Sequence, residues 1–368
     1  MLASGIAERL GTGQAQLALS DKARKKHHEP MPNAEHRAAM MRVCRILEQD
    51  GLSKVAAVGH RVVHGGEFFE EGVEISEEVI KKIESLSDLA PLHNPAAVQV
   101  IRLVQELFPG VPQVAVFDTA FHRSLPPQAY LYAIPYEYYQ RDRVRRYGFH
   151  GTSHQYVTME AAGRISRDLK NTQFISAHLG NGCSATAVQG GRSVDTTMGL
   201  SPMEGLVMGT RSGDVDPTLH EFLYRKDKLG ISDITEMLTR KSGLLGVSGV
   251  SHDMRSVQEA ANQGNPRAQL AVELFCYRLA RSISGLTASL TVLDAIIFTG
   301  GIGENSSLVR AKTIQSLTML KADLDPELNQ QHGKQSNGRI TKPTGTLCLV
   351  IPTNEELMIS REVTRLIQ

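Results

Sequence analysis

The sequence predicts an α/β protein of two domains. Apolar strands alternate with amphipathic helices to the end of the chain, the alternation restarts near Phe174, and 368 residues suffice for two cores of ordinary size. Both halves place glycine loops after strands, as a distant duplication would.

The first elements are the least regular. Ala3 to Leu10 reads as the middle of a strand with nothing before it to pair with, so a segment is expected upstream of Met1. The run Lys22 to Pro30, KARKKHHEP, reads as solvated loop. A helix is expected from about Asn33, whose side chain would cap it, with Val43, Ile46 and Leu47 on its apolar face. The run from Lys54 to Gly66, KVAAVGHRVVHGG, is β-rich. A helix then spans Ser76 to about Leu89, with Glu77 and Glu78 in the first turn, where the helix dipole favours acids. Asn94-Pro95 reads as cap and first helical position of a second helix that carries Val98, Ile101 and Val104 at helical spacing. The run VPQVAVFDT follows as a fully buried strand. Asp118 stands at its C-terminal end, where open α/β sheets gather ligands.

The second half opens with FISAHLGNG, a strand running into glycines. SATAVQGGRSVDTT reads as a hairpin turning at Gly190-Gly191. A long helix begins after Asn265-Pro266, then come the strand and glycine loop of DAIIFTGGIGEN, a further helix, and LCLVIPTNEE leading into a terminal helix.

Composition narrows the function. Forty basic and thirty-nine acidic side chains leave a net charge of +1, so no global positive field holds nucleic acid or an anionic membrane. Small-molecule partners are expected. The four cysteines, Cys44, Cys183, Cys276 and Cys348, have no Cys-x-x-Cys spacing, which argues against a thiolate metal site or a disulfide framework and fits a reducing cytoplasm. No run approaches the roughly 20 apolar residues of a membrane span.

Two glycine runs carry the chemical signal. His178, Gly180, Asn181 and Gly182 follow one buried strand. Gly300, Gly301, Ile302, Gly303 and Asn305 follow another and open a helix, so backbone N–H groups at both strand ends can approach phosphate oxygens. A tight turn would need glycine as well. Arg61, Arg211 and His150 each sit beside glycines and away from any amphipathic helical face. Arginine's rigid fork suits carboxylate and phosphoryl oxygens, although each arginine could equally form a surface ion pair.

Taken in order, GHRVVHGG, APLHNP, VFDTAFH, RRYGFHGTSH, HLGNG, MGTRSGD, TGGIGEN and IPTNEE resemble the motif series of the acetate kinase family. The resemblance runs from Gly5 to the C-terminus. It implies two duplicated actin-like, ribonuclease H-like ATPase domains closing on ATP. The first would span 1–120, completed by the terminal helix 356–368, and the second 121–355. The implied reaction passes the γ-phosphoryl group of ATP to acetate, giving ADP and acetyl phosphate, with Mg²⁺ or Mn²⁺ as cofactor in a cytoplasmic homodimer.

The roles below are what the resemblance implies. Arg61 and Arg211 would hold the carboxylate and the transferring phosphoryl group, and His150 would donate to its oxygens. His93 and Asn181 would support them, although His93 also reads as a satisfied structural histidine. Asp118 and Glu355 would organise the metal and acetate, while Asp253, Arg255, Gly301, Ile302 and Asn305 would line the adenosine site. Val63, Leu92, Phe149 and Pro202 would surround the substrate methyl, with Val63 favouring acetate over propionate. Family members begin with a strand and an Asn-x-Gly-Ser-Ser-Ser-x-x-Lys loop that this sequence lacks. The resemblance therefore implies a start placed too late, and a chain made from Met1 is expected to be poorly soluble and inactive. The alternative readings are a propionate kinase of the same family and a truncated, non-catalytic ATP-binding remnant.

Overall fold

A computed structural model describes residues 2–20, 25–52, 54–91 and 93–368, and Leu92 lies outside them. Among the described residues the α/β architecture contains three sheets. The first is antiparallel, in the order β1 (Ser4–Glu8), β2 (Gln16–Ser20), β3 (Lys26–Pro30). The strand expected at the N-terminus is present and its partner follows it in sequence, Ser4 opposite Ser20 and Glu8 opposite Gln16. The second half of the basic run is not loop. Lys26–Pro30 is an edge strand whose alternate residues Lys26, His28 and Pro30 face solvent, while Glu29 on the other face pairs with Arg42. The helix that follows spans His36–Gln49 with Glu35 as its cap residue. Asn33 does not cap it. It takes a left-handed turn conformation, φ 60°, which asparagine tolerates better than most residues.

The second sheet has the order β4 (Val58–Val62), β6 (Gln113–Phe117), β5 (Val73–Glu74), with β4 and β6 parallel. Strand β6 is buried along its whole length because both of its faces are covered. Ala115 and Phe117 pack on Ile80, Ile83, Val98 and Ile101 from helices Glu77–Ser85 and Asn94–Leu107. Val114 and Val116 pack on Val363 and Ile359 of the terminal helix Glu355–Ile367. Ser76 caps its helix, accepting from the Val79 amide at 3.3 Å. Asn94 is buried within the next helix instead of capping it. Its amide donates to the carbonyls of His64 at 3.0 Å and Ile83 at 3.2 Å, tying two helices to the β4 loop.

The third sheet has the order β11 (Cys348–Val350), β10 (Ala295–Thr299), β7 (Gln173–Leu179), β8 (Cys183–Gln189), β9 (Arg192–Thr196). Strands β7, β10 and β11 are mutually parallel, while β8 and β9 return antiparallel. Period-two alternation again serves two covered faces. Ile296 and Phe298 join the large core built on helix Pro266–Leu286, whereas Ala295 and Ile297 meet Val157 and Ala161 of helix Gly151–Arg164. The β8–β9 hairpin turns at Gly190 and Gly191 with φ of 58° and 78°, the left-handed pair that a two-residue hairpin requires. Asn265 caps the long helix through the amides of Arg267 and Ala268, with Pro266 in its first turn.

Candidate active site

Parallel strands deliver their C-terminal ends to one side of each sheet, and the conspicuous polar residues lie there. Arg61 sits on β4 and Asp118 immediately after its neighbour β6. The Arg61 Nε and Nη2 atoms donate to the two Asp118 oxygens at 2.8 and 2.6 Å, and Glu355 at the start of the terminal helix stands 3.8 Å from Arg61 Nε. Asp118 is buried. Burial pushes its carboxyl pKa up against the pull of Arg61, and burial likewise raises that of Glu355. The Asp118 carbonyl accepts from the Gly151 amide at 2.9 Å, which joins β6 to the helix that carries His150.

His150 occupies the residue before that helix in a left-handed conformation, φ 56°, a strained geometry for a side chain with a Cβ. Its ring stacks on His178 with centroids 4.3 Å apart, and its Nδ1 lies 2.9 Å from Ser184 Oγ. Burial first, then the neighbouring histidines and arginines, hold its pKa well below the ordinary histidine value, so the ring is neutral. The His178 value is brought down to about 4 by burial and then Arg61.

Arg211 approaches from the loop after β9. Its Nη1 donates to the Pro202 carbonyl at 2.8 Å and touches the Met208 sulfur. Among the described residues no carboxylate lies within ion-pair distance of Arg211, and burial lowers its pKa. A methyl group built on Gly182 would lie 3.3 Å from His150 Nε2 and 3.4 Å from Arg211 Nη1. The Arg211 guanidinium and a ring nitrogen of His150 thus converge on one point kept open by the missing side chain. His93, half-buried, feels Arg211, Arg61 and Asp118, and after burial the two arginines depress its pKa.

Two cavities adjoin this centre. One of about 460 Å³ is lined by Arg61, Val63 and His93 with Ala97, Val100 and Val104. Phe149 is buried in the core and Pro202 supplies its carbonyl to Arg211, so neither lines that cavity. A larger one, about 710 Å³, is bounded by Gly180, Asn181, Asp253, Arg255, Gly301, Ile302 and Asn305. The glycines therefore divide. Gly180 and Gly301 border this cavity, whereas Gly300 and Gly303 are buried where the ends of β7 and β10 meet. A methyl on Gly300 would stand 2.8 Å from the Leu179 carbonyl oxygen. The Gly180–Gly182 run also closes the β7–β8 hairpin, with the Gly180 amide donating to the Gly182 carbonyl at 3.0 Å.

Two groups gave no signal in the sequence. Glu304 accepts from the Gly300 amide at 2.9 Å and from the Thr353 amide at 3.1 Å, clamping the glycine-rich helix Gly300–Asn305 to the segment after β11. Arg310 is wholly buried with no acid in contact among the described residues, donating to the carbonyls of Gly303 and Glu304 and thereby holding the C-terminal end of the same helix.

Residues 1–361 match the acetokinase family. The chain belongs to that family. An acetate kinase from Deinococcus radiodurans is 50% identical over 98% of this chain and 90% of its own length, and one from Geobacillus kaustophilus is 47% identical over 100% and 93%. Among solved structures, a propionate kinase from Francisella tularensis superposes with a TM-score of 0.95 at 41% identity, and a Porphyromonas gingivalis acetate kinase with 0.92 at 40%. Both matches cover the whole of this chain, and 93% and 94% of those chains. The α/β fold is the fold of these kinases, and the chain is a phosphotransferase of that family. Among the described residues no helix is long and apolar enough to cross a membrane.

The motif resemblance raises the expectation of a divalent cation. Among the described residues no group of three histidine, cysteine or acidic side chains is arranged to hold a metal ion by itself. Mg²⁺ is commonly held by one or two carboxylates together with substrate phosphates and water. Asp118 and Glu355, hard oxygen donors flanking Arg61, fit that requirement.

Proposed function

We propose that this protein is an acetate kinase that transfers the γ-phosphoryl group of ATP directly to acetate, with Arg61, Arg211, His150 and Asp118 at the centre. The observation that carries this reading is the convergence of an acid-free arginine and a neutral histidine on the open point above Gly182. An anion is what such a point attracts, because two donors are already aimed at it. An acetate oxygen attacks phosphorus in line as the bond to the bridging oxygen of ADP breaks. Acetate is already deprotonated, so no general base is required, and catalysis rests on positioning and on neutralising the equatorial oxygens.

Arg211 and His150 Nε2 donate to the phosphoryl oxygens in flight. Arg61, half of whose surface remains accessible, orients the carboxylate, with His93 beside it. Gly180, Asn181 and Gly182 face the phosphates, and the 710 Å³ cavity bounded by Asp253, Arg255, Gly301, Ile302 and Asn305 takes the adenosine. When bound at Asp118 and Glu355, Mg²⁺ would supply charge neutralisation at the β- and γ-phosphates. The terminal helix packs on the β4–β6 sheet, which supports residues 1–120 and 356–368 forming one domain and 121–355 the other. The reading extends to a cytoplasmic homodimer. It is tested by incubating the chain with ATP, Mg²⁺ and acetate and trapping acetyl phosphate as the hydroxamate. No product above an acetate-free control, both from this chain and from a version preceded by the family's leading strand and phosphate loop, would refute it.

Two variants probe the site. Val63 lines the smaller cavity beside Arg61 and His93, and one methylene of room is worth about tenfold in specificity. Val63→Ala should therefore shift the ratio of kcat/KM values towards propionate by about tenfold, and an unchanged ratio would place the methyl pocket elsewhere. Gly182→Ala should put its methyl where the phosphoryl oxygens pass. Since φ there is not left-handed, the fold should tolerate it while kcat falls by about tenfold or more. Wild-type turnover in that variant would move the transfer point away from Gly182.

A further inference from the structure

We propose that Ser184, backed by His154 and Ser176, positions His150 by fixing its neutral ring as the tautomer with hydrogen on Nε2. The functional weight of this assignment rests on the reading of His150 as the phosphoryl donor. His150 and His154 stand one helical turn apart, so their rings share a helix face. Strand β8 places Ser184 between them, 2.9 Å from His150 Nδ1 and 2.8 Å from His154 Nε2. The other nitrogen of His154, Nδ1, lies 2.9 Å from Ser176 Oγ on β7. Ser176, Ser184 and His154 are all fully buried, and no charged ring is favoured there because burial drives the pKa of both histidines down.

A hydroxyl carries one proton and can accept two, and the two rings are the partners of Ser184 Oγ among the described residues, so pairing its proton requires donating to one ring and accepting from the other. Two directions are open. In the first, Ser176 O–H donates to His154 Nδ1, His154 Nε2–H donates to Ser184, and Ser184 O–H donates to His150 Nδ1. His150 then carries its hydrogen on Nε2, the atom that faces Arg211 across Gly182. In the reverse direction His150 presents a bare nitrogen lone pair to that point. Ser176 would accept from His154 and need another acceptor for its own proton, and His154 is its one side-chain partner among the described residues. Leaving a buried hydroxyl proton unpaired is disfavoured by roughly ten- to hundredfold. The run is therefore polarised towards His150, and Ser184 acts on the reaction only through that ring.

The test uses the full chain labelled with ¹⁵N-histidine. Two-bond nitrogen–proton correlation spectra report which nitrogen is protonated, with the His150 signals assigned by their loss in His150→Gln. His150 should be neutral with hydrogen on Nε2 in the wild type and a mixture of tautomers in Ser184→Ala. Kinetically, Ser184→Ala should lower kcat by about ten- to hundredfold with little change in KM for ATP. Added to His150→Ala, the same change should cost nothing further. Hydrogen on Nδ1 of wild-type His150, a doubly protonated ring, or an additive loss in the double variant would overturn the proposal. Should Ser184→Ala fail to fold, the wild-type spectrum alone decides. A chain that shows the Nε2 tautomer yet forms no acetyl phosphate would refute the functional reading and leave the tautomer assignment standing.

Discussion

Replacing Arg211 with alanine should lower turnover by about a thousandfold or more and leave the protein at least as stable as before. Most half-buried arginines are paired, and removing them costs stability. Arg211 is different, because its recorded partners among the described residues are the Pro202 carbonyl and the Met208 sulfur. A desolvated cation without an anion is unfavourable in the resting protein, which is why burial lowers its pKa. That cost is recovered when a phosphoryl group arrives, and recovery is greatest in the transition state, where charge spreads over the equatorial oxygens. Single arginines at such positions are worth about 10³–10⁵ in kcat. Hydroxamate assays give the rate, thermal unfolding gives the stability, and ATP affinity serves as a control for the cleft. A loss of less than about tenfold, or a lowered melting temperature, would show that Arg211 serves the fold.

The elements legible in the sequence are those whose burial is symmetric. Strands β6, β7 and β10 read as continuous apolar runs because both their faces are covered. The Gly190-Gly191 turn and the Asn265-Pro266 start follow from backbone sterics that few other residues satisfy. The errors lie where one residue type serves two geometries. An edge strand exposes half of its side chains and uses charges to discourage pairing, so Lys26–Pro30 carries the composition of a loop. Asparagine caps helices, but it also tolerates left-handed turns and tethers buried backbone. Asn33 takes the first alternative role and Asn94 the second.

The site was legible as a set of motifs and illegible as a shape. Arg61, Asp118, His150, Arg211 and Glu355 are widely separated in sequence; parallel strand ends place Arg61 and Asp118, two helix starts place His150 and Glu355, and the loop after β9 brings Arg211. Which glycines border the nucleotide cavity and which only let β7 and β10 close up could not be read from spacing, because close packing and phosphate approach both forbid a side chain. Ser176 and Ser184 look like ordinary small residues of a buried strand. The two histidines of GFHGTSH, one helical turn apart, were the available signal that their hydroxyls have something to hold.

Arg61→Ala should also abolish most turnover, by about a hundredfold or more, but its stability should respond in the opposite sense to that of Arg211→Ala. Asp118 is buried and both of its oxygens accept from the Arg61 fork. Removing the fork leaves a carboxylate with no cation in contact, and breaking a buried pair on one side costs 3–5 kcal/mol when both partners are buried. The Arg61 side chain is 47% exposed, so water replaces part of what is lost and the expected cost is about 1–3 kcal/mol. The sign with pH follows from Asp118. Arg61 is what holds its pKa down against burial, so the variant's folded-state value rises further above the unfolded value, roughly 3.9. A folded-state pKa raised in this way favours folding where the group is protonated, and that advantage is lost as pH rises through the raised value. The gap between wild type and variant should therefore be small near pH 5 and wider near pH 8, as read from denaturant midpoints at each pH. Arg61→Lys keeps the charge and loses the fork, and it should recover much of the stability and little of the turnover. A gap that stayed constant between pH 5 and pH 8, or that widened in acid, would show that Asp118 does not depend on Arg61 for its ionised state.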